Sequence, residues 1–191
     1  DFHKLATVSP LQVSFKDATL GLLFRKRIVW LLGLVIVNVF TGTGIAMFED
    51  TIQAVVALVI FLPLLIGSGG NAGSQASTLV VRAIATGDIG SGDWWRLFFR
   101  EIGVSAAMGL AMAIAVFCIA WFRGGALLAL AVALSMFAVV VVGSLLGTVL
   151  PMVLNKLKLD PATATAPVIA SMADIFGIHI YFSIATAVQR L

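Results

Sequence analysis

The stretch Pro63-Leu64-Leu65-Ile66-Gly67-Ser68-Gly69-Gly70-Asn71-Ala72-Gly73-Ser74-Gln75-Ala76-Ser77-Thr78 decides how this chain is read. It sits inside an otherwise apolar run, residues 51–81, and packs four glycines into seven residues. A glycine-rich turn before a helix can cradle a phosphate. No Lys follows here in the phosphate-loop pattern, and the flanks are apolar enough to span a membrane. Two readings of the stretch remain, and they are compatible. Gly69 and Gly73 form a small-xxx-small pair, which lets helix backbones approach closely. Asn71, Gln75 and Thr78 follow at i, i+4 and i+7, so they share one helix face. Polar side chains on one face suit a bent helix lining a water-filled path, where irregular backbone at membrane depth is tolerated.

Composition extends this reading to the whole chain. Of 191 residues, 61% are hydrophobic and 11% charged, and mean hydropathy is +1.11. Soluble domains carry about 25% charged residues, so a soluble enzyme is close to excluded. Net charge is only +3, in short clusters between apolar runs, which does not suit nucleic-acid binding. Cys118 is the single cysteine, so no disulfide forms within one chain and no Cys-rich metal motif exists. The first residues are polar and mixed, unlike a secretory signal. The chain opens at Asp1, and a soluble domain upstream is expected.

About 20 apolar residues cross a bilayer as a helix. Five spans are predicted: 28–48, 51–81, 102–122, 126–154 and 162–188. Residues 1–27 form a juxtamembrane segment, with an apolar patch, Ala18 to Phe24, before Arg25, Lys26 and Arg27. That pattern suits a short helix on the inner leaflet. Five crossings place ten of the twelve Lys and Arg on the N-terminal side. The positive-inside rule then sets the N-terminus in the cytoplasm and the C-terminus outside.

Asp174 is the only acid well inside an apolar stretch. Insertion scales put a charge at the bilayer centre at roughly 2.5–3.5 kcal/mol, and such residues mark ion paths or proton relays. Ala166, Ala170 and Asp174 recur at i, i+4 and i+8, with Gly177 beyond, leaving room beside the carboxylate. Pro167 is expected to kink the helix and free carbonyl groups near the path. His179 stands about 140° around the helix from Asp174, which suits packing or the interface. Gly143 and Gly147 form another small-xxx-small pair.

No catalytic constellation is present: no Ser–His–Asp arrangement, no paired intramembrane aspartates, no HExxH. Carboxylate, amide, hydroxyl and carbonyl ligands suit a hard cation, Mg²⁺ or Ca²⁺. One carboxylate half-neutralises a divalent ion. A two-fold homodimer would set two Asp174 carboxylates around one.

The run Pro63-x-Leu65-x-Gly67-x-Gly69-Gly70-Asn71-x-Gly73-x-Gln75-x-x-Thr78 resembles the signature of the MgtE magnesium channels. Asp160-Pro161-Ala162, Pro167, and Asp174 followed by Gly177 and Tyr181 resemble that family's last helix. The resemblance covers essentially the whole chain. It implies an all-α, five-span, homodimeric Mg²⁺ channel of the inner membrane, its pore between subunits and lined by the second and fifth helices. It implies pore Mg²⁺ held near Asp174 and the Ala170 backbone carbonyl, with Gly67, Gly69, Gly70, Asn71, Gly73, Gln75, Thr78, Ala166 and Pro167 beside the path. It also implies cytosolic Mg²⁺-sensing domains and a plug-like helix over residues 1 to about 24, with Asp1 near a regulatory Mg²⁺. Thr165 stands where a Ser is common, and Ala166 replaces a polar residue found in some relatives. The competing expectations are a secondary transporter of divalent cations coupled to H⁺ or Na⁺, and a non-conducting membrane anchor.

Overall fold

The structure, a computed structural model, describes residues 18–90, 92–163 and 166–189. Those residues are helical, with no strand among them. The plug-like helix, Asp1 and Thr165 lie outside the described residues, apart from the last part of the juxtamembrane segment.

α1, Leu20–Ala46, starts where the Thr19 hydroxyl accepts from the Leu22 amide at 3.3 Å. It carries the basic triplet and residues 28–46 of the first predicted span, 28–48, in one unbroken helix. Its flanks, including Leu31, Leu32, Val35, Ile36, Val39 and Phe40, are exposed. Thr41 and Thr43 return their hydroxyls to carbonyls of the preceding turn, at 3.3 Å to Val37 and 2.8 Å to Phe40. That satisfies them on an otherwise apolar helix.

The second predicted span begins later than expected. A short helix, α2, Glu49–Ala54, comes first, and the backbone breaks at Val55 (φ −139°, ψ 82°). α3, Ala57–Thr86, then runs 30 residues to a left-handed cap at Gly87 (φ 78°). Glycine is the residue that takes this conformation without strain. α3 stays helical through Pro63 and every glycine of the quoted stretch.

The reason is packing. A Cβ on Gly69 would lie 2.6 Å from Val139 Cγ1, and one on Gly73 would lie 2.5 Å from the Gly143 carbonyl oxygen. Reciprocally, a Cβ on Gly143 or Gly147 would strike the backbone of Gly69 or Gly73. Two small-xxx-small pairs thus face each other, and the close helix seam keeps the glycines helical.

α4, Trp94–Lys156, has 63 residues but is broken at Gly124 and Gly125 (φ 79°, ψ −168°). A straight helix of that length would reach about 95 Å. Instead the Ser144 hydroxyl donates to the Glu101 carboxylate, and Lys156 lies 5.6 Å from the Trp94 ring. Both pairs are centred on the glycine break, so α4 is an antiparallel hairpin with arms 94–123 and 126–156. The arms contain the third and fourth predicted spans. The first arm starts eight residues before its apolar stretch because Trp94 to Glu101 continue the helix.

A 3₁₀ turn, Pro161–Thr163, follows, with Asp160 Oδ1 accepting from the Ala162 amide at 3.0 Å. α5, Ala166–Gln189, completes the bundle. The main core joins the start of α3 (Leu58, Phe61, Leu65), the α4 hairpin end (Val116, Leu128, Val132) and α5 (Ile178, Tyr181, Phe182). Tyr181 is fully buried, and its hydroxyl donates to the Leu58 carbonyl at 2.8 Å. This contact ties α5 to α3 one end away from Asp174. Among the described residues four helices, α1, α3, α4 and α5, are long and apolar enough to cross a membrane.

Candidate cation cleft

α3 and α5 pack along their lengths and leave an open-sided cleft of about 550 Å³ between them. On α3 it is lined by Pro63, Ile66, Gly67, Gly70, Asn71 and Ser74. These recur at i, i+3, i+4, i+7, i+8 and i+11, a single helical stripe. On α5 the lining is Ala166, Pro167, Ala170 and Asp174.

The absence of side chains makes the space. Nothing lies within 4 Å of where a Cβ of Gly67 would stand. At Gly70 the α5 helix is close: a Cβ would lie 3.3 Å from the Ala170 Cβ and 4.0 Å from Asp174 Oδ1. Ser74 holds the other end of the cleft. Its hydroxyl donates to the Gly70 carbonyl at 2.7 Å, with the Ala166 carbonyl 3.4 Å away.

Pro167 lies in the first described turn of α5, where its fixed φ suits a helix. Ser171 closes the next turn, donating to the Pro167 carbonyl at 2.9 Å.

Asp174 is half-buried on the cleft wall, and its carboxylate makes no hydrogen bond or ion pair with any described residue. Among the described residues no group of three His, Cys, Asp or Glu side chains comes together as a metal site. The cleft therefore offers one carboxylate, one amide (Asn71), one hydroxyl (Ser74) and small-residue walls. All are oxygen-type ligands with room for water, which suits a hard, hydrated cation.

The residues named from sequence divide into three sets. Gly67, Gly70, Asn71, Ala166, Pro167, Ala170 and Asp174 meet in the cleft. Gly69 and Gly73 turn to the 126–156 arm of α4 and line the helix seam. Gln75 and Thr78 are exposed on α3 but do not line the cleft; the Thr78 hydroxyl returns to the Ser74 carbonyl at 2.8 Å. Gly177 is buried toward Val139. His179 packs as its spacing suggests, edge-on to Phe48 at 6.1 Å, with Nδ1 2.8 Å from the Ile175 carbonyl. Sequence reasoning missed Ser74 as a cleft residue. The signal was present: it falls four residues after Gly70, on the stripe of Pro63, Gly67 and Gly70.

Residues 62–184 match the model of the MgtE family, described as divalent cation transporters. The chain is 35% identical over 185 residues to the magnesium transporter MgtE of Thermus thermophilus, covering 97% of this chain and 41% of the relative. It is 37% identical over 189 residues to that of Bacillus subtilis, covering 98% and 41%. With the Enterococcus faecalis relative the identity is 28% over the full chain and 42% of the relative. The chain thus spans about two fifths of the length of these relatives.

Proposed function

This chain belongs to the MgtE family, and from that membership we propose that it forms a membrane-spanning path for Mg²⁺. The chain crosses the bilayer five times, because the α4 hairpin counts twice beside α1, α3 and α5. The N-terminus faces the cytoplasm, on the side that holds ten of the twelve Lys and Arg.

The observation that carries the reading is the Asp174 carboxylate, without a partner among the described residues, on an open cleft lined by small residues. An intramembrane charge with no protein partner is expensive unless water or an ion meets it. Mg²⁺ gives up its water reluctantly. The small residues at 67, 70, 166 and 170 leave space for that hydration shell, and the Asn71 amide and Ser74 hydroxyl can bond to it. A second copy facing the open side would close the cleft and bring two Asp174 carboxylates to one ion, neutralising its charge. Holding the ion largely through water keeps binding weak enough for the ion to leave, which conduction requires. The Ala170 carbonyl belongs to the same ligand set. Cytosolic sensor domains acting on residues 1–27 complete the proposal.

The experiment is Mg²⁺ flux into liposomes under an imposed voltage, with no pH or Na⁺ gradient. Flux that follows voltage alone supports a channel. Flux that appears only when a H⁺ or Na⁺ gradient is added contradicts the channel and supports coupled transport.

A further inference from the structure

A second cavity, of about 510 Å³, lies between the C-terminal part of α3, the loop after it and both arms of α4. Its floor is polar. Glu101 is half-buried and accepts a hydrogen bond from the Ser144 hydroxyl. One turn further, Thr148 is 2% exposed, and its Oγ1 is buried with no hydrogen-bond partner. A buried hydroxyl of this kind calls for a polar group in the adjoining space.

The rim is charged. Arg96 and Arg100 stand one helical turn apart, exposed, and neither forms an ion pair with a described residue. Two rim acids accept local hydrogen bonds from neutral donors and keep their charge. Asp88 accepts from the Thr86 hydroxyl at 2.6 Å, and Asp93 accepts from the Gly90 amide at 2.9 Å. Beside the arginines, exposed Trp95 and Phe99 stack at 6.1 Å. Aromatic rings next to basic side chains are what a membrane–water interface favours.

The charge pattern selects the occupant. The lining mixes two guanidinium groups with three carboxylates, Asp88, Asp93 and Glu101, so a bare cation and a purely anionic group would each meet like charge, and no three-ligand cluster forms among the described residues. A group carrying a phosphate and a primary ammonium a few bonds apart matches both. We propose that this cavity seats the headgroup of a zwitterionic, ethanolamine-type phospholipid of the inner leaflet. Arg96 and Arg100 hold its phosphate, and Glu101 accepts from its ammonium, with buried Thr148 behind it. Planar guanidinium forks suit phosphate oxygens. The apolar walls, Leu79, Leu97 and Val104, receive the first methylenes of the lipid. The inference rests on the reading that the chain crosses a membrane with this end at the cytoplasmic face.

The test is native mass spectrometry of the purified full chain after exchange against equal amounts of three lipids. These are phosphatidylethanolamine, phosphatidylcholine (whose ammonium has no N–H) and phosphatidylglycerol. Wild type is expected to retain the ethanolamine lipid about tenfold over the others, the scale of one charge-assisted hydrogen bond. The double variant Arg96→Ala/Arg100→Ala should lose retention of both the ethanolamine and the choline lipid. Glu101→Gln, which can still accept from Ser144, should remove the preference of ethanolamine over choline. Equal retention of all three by wild type, a preference for the glycerol lipid, or no change in the double variant overturns the proposal. So does displacement of the lipid by millimolar inorganic phosphate, which would assign the arginines to a free anion. Mg²⁺ flux is measured on the same preparation. Flux without lipid preference overturns this inference alone, and lipid preference without flux overturns the pore reading alone.

Discussion

Gly67 and Gly73 stand six residues apart on one helix and meet opposite surroundings. A Cβ on Gly67 would find nothing within 4 Å, whereas one on Gly73 would press on the Gly143 carbonyl at 2.5 Å. The first faces the Asp174 cleft, and the second faces the α4 seam. One glycine-rich motif therefore does two jobs. On one face small residues let helices touch, and on the other they keep space open beside a charge. The seam holds α3 against α4, and the unbroken helix aligns Pro63, Gly67, Gly70 and Ser74 into one wall.

The largest effect is expected on the seam. Gly73→Leu must separate α3 from α4, because the atoms it meets include backbone that cannot rotate away. Overpacking costs typically about 1–3 kcal/mol for extra methylenes, and more where backbone must shift. Loss of folded protein in detergent, read by size exclusion and thermal melting, is the expected result; wild-type melting would break the comparison. Gly67→Leu should instead melt like wild type and lose most Mg²⁺ flux, since its side chain enters the cleft. Equal destabilisation by the two variants would mean that both faces are packing faces.

Smaller changes sharpen the same contrast. Asp174→Asn keeps the shape and removes the charge, so Mg²⁺ flux should fall about tenfold or more through loss of a charged ligand. Ser74→Ala removes one hydroxyl whose acceptors are helix carbonyls already near other amides. It should change stability by about 1 kcal/mol or less and flux by a few-fold. A Ser74 variant as damaged as the Asp174 variant would make Ser74 the primary ligand.

The apolar helices were legible because hydropathy over about 20 residues reports directly on membrane-length burial. The hairpin was legible too, since Arg123, Gly124 and Gly125 interrupt two apolar runs. The break at Val55 was not: no Gly, Pro or charge marks it, and α2 is tied to α5 by tertiary contact, with Thr51 and Thr186 hydroxyls 2.8 Å apart. The early start of α4 was hidden because Arg96, Arg100 and Glu101 read as loop on hydropathy while their helix continues past the apolar stretch. Within the motif, spacing alone placed Asn71, Gln75 and Thr78 together. The cleft follows the neighbouring stripe because α5 approaches at Gly70, and an approaching helix leaves no local signal. Asp174 was found from its own chemistry, a charge where none is cheap.

The most direct test of the account is Mg²⁺ flux into liposomes by wild type and Asp174→Ala under an imposed voltage, with thermal melting of both proteins measured in parallel. The account predicts flux in wild type, none in the variant, and a melting temperature in the variant equal to or above that of wild type, since an unpaired intramembrane charge has been removed. Undiminished Mg²⁺ flux through a folded Asp174→Ala protein would contradict it.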